Sequence, residues 1–143
     1  QIIKLTLNKY VNQLIIKMKI SEQQALDLLE EGIKLMEINP KKALPYFIKA
    51  NQTVAEYSVR RVKILYYLAL CNYAIGHIPL AYAILKHAQS VITIASQLTF
   101  FVAETIPKED ITMVDLFRRE LENSSIDLSE SSNYTENDFN TID

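Results

Sequence analysis

Apolar residues recur every three or four positions along most of this chain, in runs separated by proline, glycine and asparagine. Leu26, Leu29, Ile33 and Met36 form the first clear stripe, the spacing of one helix face. Ser21 with Gln24 reads as a capping box, each side chain satisfying an end amide near the other, and Glu22 falls in the first turn where the helix dipole favours an acid. The pattern predicts a helix from Ser21 to about Ile38. Asn39-Pro40 is a stop-and-restart signal, and Ala43, Phe47, Ala50 and Val54 make the stripe of a second helix. Pro45 would cost that helix a hydrogen bond if it began at Pro40, which predicts a regular start at Lys42 or Ala43. Ser58 is placed to cap a third helix, which Gly76 closes in a left-handed conformation. Its apolar positions Val62, Leu65, Tyr66, Ala69, Leu70 and Tyr73 are dense enough for burial on more than one side. Pro79 opens a fourth helix carried inward by Ala81, Leu85, Ala88, Ile92 and Ala95.

The ends are read differently. From Ala88 to Ala103 no charged residue occurs, but serines, threonines and Gln97 lie inside the stretch, which is short and polar for a span of about 20 apolar residues. A buried helix, or one covered by a partner through Val91 to Val102 in a homodimer, is expected instead of stable membrane insertion. Pro107 breaks the chain, and Ile111, Val114, Leu116, Phe117 and Leu121 predict a short amphipathic helix over 108–121. Residues 124–143 turn to Ser, Asn and acids with few apolar side chains, so disorder is expected there. In residues 1–20, Leu7, Tyr10, Val11, Leu14 and Met18 suit a helix, while Ile3 to Leu7 alternate like a strand. Helix is chosen, because a strand hairpin is an unusual attachment to a helical body. The expected organisation is a flanking segment (1–20), a helical domain (21–104), a short helix (105–123) and an acidic disordered tail (124–143), all-α throughout.

Composition supports one helical domain. The 143 residues contain two Gly and four Pro, too few punctuators for the tight turns of an all-β fold. The net charge of −2 hides five acids and no Lys or Arg after Asn123, leaving 15 Lys and Arg against 12 acids before it. Charges so few and so scattered do not suggest nucleic acid. The lone Cys71 suits the cytoplasm or another reducing compartment. N-x-S/T triplets at Asn51, Asn123 and Asn133 are read as coincidence in a chain rich in those residues.

An internal repeat underlies the pattern. Ala43-Phe47-Ala50 and Ala81-Leu85-Ala88 both run small, large, small, preceded by Leu28, Gly32 and Leu35 in one case and Leu65, Leu68 and Ala69 in the other. Small residues let paired helices approach, and the large one fills the groove between them. On these residues, the segment from about Ser21 to Gln89, half the chain, resembles two tetratricopeptide (TPR) motifs. Asn72 departs from that pattern, standing where the family usually has an aromatic residue. The first motif also needs one residue fewer in its turn, and Ala43 and Ala81 lie further apart than the family's repeat of about 34 residues. The resemblance implies two stacked helix-turn-helix hairpins in a right-handed superhelix. It also implies a concave groove holding a helix or peptide of a protein partner, lined by Leu26, Leu29, Ile33 and Met36 and by Lys63, Tyr66, Leu70 and Tyr73. That face is apolar and aromatic with one cation, which suits an apolar segment better than a carboxylate. The same residues could equally be core, covered by residues 1–20 or 88–103. An adaptor or assembly subunit is the expected role. A chaperone for a secreted or aggregation-prone client and a small regulatory homodimer are the alternatives.

Enzymatic chemistry is thinly represented. His77 and His87 have no Cys, Asp or Glu at metal or triad spacing and read as surface histidines. Cys71 sits mid-helix among apolar neighbours, as an inert thiol does. No glycine-rich phosphate loop can be built from two distant glycines. Glu30-Glu31 reads as a solvated face. Arg60, Arg61 and Lys63 read as a solvated helix start or, secondarily, as a dock for the acidic tail or for an acidic partner, and in the tail Ile126-Asp127-Leu128 resembles a short docking motif. No catalytic residue, metal or cofactor is expected.

Overall fold

The computed structural model describes residues 1–102 and 104–141, without the side chains of residues 99–102. Five helices account for most of it: α1 (Ile2–Met36), α2 (Pro40–Thr53), α3 (Arg61–Ile75), α4 (Ile78–Val102) and α5 (Lys108–Glu122). No strand occurs among the described residues. Connections of two or three residues join α1 to α2 and α3 to α4, and each joined pair packs together as an antiparallel hairpin. α3 lies at the centre, touching α1, α2, α4 and α5. This is why its apolar residues encircle it, with Val62, Ile64, Leu65, Leu68, Ala69 and Cys71 all fully buried.

The small residues of the repeat carry the packing. Ala43, Ala50, Ala81 and Ala88 have no exposed surface. Gly32 of α1 faces the ring of Phe47, so closely that a β-carbon there would lie 2.6 Å from Phe47 Cε1. Gly76 has φ 103° and closes α3, with the amides of Gly76 and His77 donating to the carbonyls of Tyr73 and Asn72, the 5→2 and 6→1 bonds of a glycine-terminated helix.

Four expectations are corrected. Ser21 does not start a helix: α1 is continuous from Ile2, and Ser21 Oγ donates to the Lys17 carbonyl at 3.0 Å. No glycine or proline interrupts residues 1–36, so once nucleated the helix propagates through the apparent cap. Pro45 lies inside α2, which begins at Pro40, because Asn39 caps it by accepting from the Lys41 amide at 3.0 Å. The carbonyl Pro45 deprives of a partner is that of exposed Lys41, where water can serve. Ser58 stands three residues before α3; its hydroxyl accepts from the Arg60 amide and donates to Glu22 at 2.7 Å, tying this turn to α1.

The fourth correction concerns the tail, which is ordered through Thr141; Ile142 and Asp143 lie outside the described residues. Two 3-10 turns, Ser129–Asn133 and Glu136–Asn140, pack on α4, and the second also on α2. Phe139 is buried, and Leu128 and Tyr134 pack against the core. Composition counts how few apolar residues the tail has. Their spacing is what lets each reach the body.

α4 contains a stretch, Ile78–Leu98, of 21 residues with the length and hydropathy of a membrane span. The same stretch supplies Ala81, Ile84, Leu85, Ala88 and Val91 to the core with no exposed surface. A core helix of this kind passes a length-and-hydropathy test without any bilayer.

Candidate protein-binding surface

The first half of α1 forms an arm of exposed apolar residues. Every large apolar residue from Ile2 to Ile20 is exposed, from 81% at Ile2 to 43% at Leu14. A helix advances 100° per residue, so Ile3, Leu7, Leu14 and Met18 share a face with Ala25, Leu29 and Gly32, which are buried further along the same helix. One stripe thus runs the length of α1, and the body covers only its second half. The arm carries Lys4, Lys9, Lys17 and Lys19 and no acid.

Where the arm meets the body, a groove of about 420 Å³ opens. Ile15 and Met18 form one wall, Tyr57 and Val59 of the α2–α3 connection the floor, and Ala95 and Leu98 of α4 the other wall. Glu22, Glu56 and Glu104 ring it, with Lys19 the one cation in the lining. The groove is a corner between the arm and the body.

The eight residues that the TPR resemblance assigns to a groove lie elsewhere. Leu29 is buried, while Leu26, Ile33, Met36, Lys63, Tyr66 and Leu70 are half-buried and Tyr73 is 39% exposed. Among the described residues, the segment laid over Tyr66 and Tyr73 is α5. Phe117 stands edge-on to both tyrosines, with ring centroids 6.0 Å and 5.4 Å apart. Glu122 accepts from the Tyr82 hydroxyl at 2.7 Å and from Arg118, fastening α5 to α4. A cleft of about 480 Å³ remains beside Tyr66, Leu70, Tyr73 and Phe117. Of the Val91 to Val102 stretch, Val91 and Ala95 are core, and the side chains of residues 99–102 lie outside the described residues.

The compared proteins decide nothing further. No family model, curated protein or solved structure matches this chain.

The candidate chemistry was partly misplaced by the sequence. Cys71 is buried, its thiol donates to the Pro40 carbonyl at 3.1 Å, and burial pushes its pKa up to about 11. No cluster able to hold a metal ion occurs among the described residues. Arg61 is not a solvated cation: it is 5% exposed, with Nε donating to Asn51 Oδ1 at 3.0 Å and Nη1 to the Glu56 carbonyl at 2.9 Å. The second reading of that cluster fits better, because Glu136 and Asn140 of the tail line a small polar pocket with Arg61. His87 is likewise half-buried and not freely solvated. Phe139 packs on its ring at 5.5 Å, and Glu136 Oε1 lies 2.7 Å from its Nε2.

Burial holds the His87 pKa below the ordinary histidine value, aided by Arg61, while the carboxylates of Glu136 and Glu56 pull it back up. A histidine depressed in the folded state contributes stability above its unfolded pKa, near 6.5, and loses it as pH falls through the folded value. Acidification from pH 7.5 to 5.5 is therefore expected to loosen the tail. Amide protection factors at Phe139 and Asn140, which correct for the slower intrinsic exchange in acid, should fall more in the wild type than in His87→Gln when read by NMR.

Asn72 offers another check. Its Nδ2 donates to the Leu68 carbonyl at 2.9 Å, but its Oδ1 is buried without a partner, a condition that costs about 1–3 kcal/mol. Asn72→Leu is expected to raise stability by about 1 kcal/mol in urea unfolding followed by circular dichroism.

Legible signals for the arm did exist. The phase of Leu7, Leu14 and Met18 with Leu29, and the absence of any breaker between them, mark one helix where the Ser21 capping box suggests two. Nothing local pointed to the corner, because Tyr57, Leu98 and Glu104 meet Met18 only through the tertiary fold.

Proposed function

We propose that the chain is a protein–protein interaction module, an adaptor or assembly subunit on two TPR-like hairpins that binds an apolar helix. The observation that carries this is the α1 arm, whose large apolar side chains are all exposed among the described residues. Exposed apolar surface of that extent marks interaction sites in soluble proteins. An amphipathic helix laid along the stripe, with its end in the corner groove, would bury what the body leaves open. Two further observations support the reading. The α1–α2 and α3–α4 pairs pack on each other through α3, which is compatible with two stacked hairpins. The seating of Phe117 against Tyr66 and Tyr73 is an internal example of a helix held by this kind of face.

The test compares the full chain with a Leu7→Asp/Leu14→Asp variant in pull-downs from native lysate, with helicity checked by circular dichroism. Proteins retained by the wild type and lost by the equally helical variant support the reading. Identical recovery from both overturns it.

A further inference from the structure

Three features of the arm bear on what covers it. The first is symmetry. Numbered along the arm, Ile3 and Met18, Leu7 and Leu14, and Tyr10 and Val11 are equidistant from a point between residues 10 and 11. An isologous interface demands this, since each contact from residue i to residue j must be repeated from j to i. The second is where the charges lie. At 100° per residue, Lys4 and Lys17 fall about 140° apart around the helix. In an antiparallel pair the matching flanks meet, so these two lysines would not face each other. The third is the corner. Overlap of two arms in this register brings residues 2–4 of one copy beside residues 17–19 of the other, at the mouth of the groove. There Lys4 would meet the Glu22, Glu56 and Glu104 carboxylates, and Ile2 or Ile3 the apolar walls at Met18 and Leu98. The body ends the overlap at about 20 residues, a seam of about 30 Å.

We propose that the occupant of the arm is a second copy of this chain, paired antiparallel along the α1 stripe with each tip in the other's corner groove. This rests on the reading of the arm as an interaction surface. The stripe of each copy then becomes a continuous helix–helix seam, and an apolar surface exposed in one chain becomes the core of two. The corners set the direction: parallel arms would leave both empty, and where Lys4 arrives in the antiparallel pair the carboxylates of Glu22, Glu56 and Glu104 outnumber Lys19.

Sedimentation velocity of the full chain over a range of concentrations tests the stoichiometry. A wild-type dimer that Leu7→Asp/Leu14→Asp converts to a helical monomer is expected. Register is read from single cysteines under mild oxidation, with buried Cys71 left in place. Tyr10→Cys, near the two-fold axis, should link to its own copy, and Ile3→Cys should not. A dimer indifferent to the aspartates, or self-linking at residue 3 in preference to residue 10, overturns the proposal. A monomeric wild type also overturns it. If its pull-down partners still depend on Leu7 and Leu14, the interaction surface survives with a different occupant; if they do not, both readings fail.

Discussion

Placing a single methyl group at position 32 is expected to destabilise this protein by about 1–3 kcal/mol, although alanine is the better helix former. The Gly32→Ala methyl would stand 2.6 Å from Phe47 Cε1 and 2.9 Å from Cδ1. The ring cannot retreat, since it is fully buried and stacked on Tyr67 at 6.0 Å. Phe47→Ala alone is expected to cost about 3–5 kcal/mol, the usual range for a fully buried ring. In that truncated background the effect of Gly32→Ala should change sign. The clash is gone, and the gain of about 1 kcal/mol in helix propensity is all that remains. Urea unfolding of the four proteins measures the cycle. Additive effects would mean that Gly32 and Phe47 do not set the distance between α1 and α2.

Truncation of a second ring tests how α5 is held. Phe117→Ala is expected to cost about 3 kcal/mol and to raise amide exchange along α5 more than elsewhere. The reason is the two edge-on contacts with Tyr66 and Tyr73, which are the aromatic anchors of α5 on α3. The face so uncovered includes Tyr66, Leu70 and Tyr73, three of the residues that the repeat resemblance assigns to a partner groove. Binding of the apolar dye ANS should therefore increase in the variant at native helicity. A loss below about 1 kcal/mol with unchanged exchange would assign the docking of α5 to the Tyr82–Glu122–Arg118 network instead.

Much of the helical framework is legible residue by residue. Asn39-Pro40, Gly76 and Pro79 mark helix ends because each restricts the backbone through its own chemistry, whatever lies nearby. The alternation of Ala43, Phe47 and Ala50 with Ala81, Leu85 and Ala88 is equally local in origin. Close helix approach needs small residues at fixed spacing, and all four alanines are buried as that argument requires. The failures share a cause. Ser21 has the sequence of a cap, yet a cap acts only where the helix ends, and nothing upstream ends it. Arg61 and His87 look solvated because sequence shows their charge, not Asn51, Glu136 and Phe139, which reach them from other elements.

By itself, then, the order of residues determined that this chain is helical, where most of its helices begin and stop, and which small residues let them pack. These are consequences of backbone sterics and of apolar periodicity, which act over a few residues. Tertiary structure alone decided that α5 covers Tyr66 and Tyr73, that the acidic tail folds onto α2 and α4, and that the first half of α1 is left exposed among the described residues. Each of those depends on which distant surfaces find one another. Burial is a property of the assembled surfaces, and no single segment carries it.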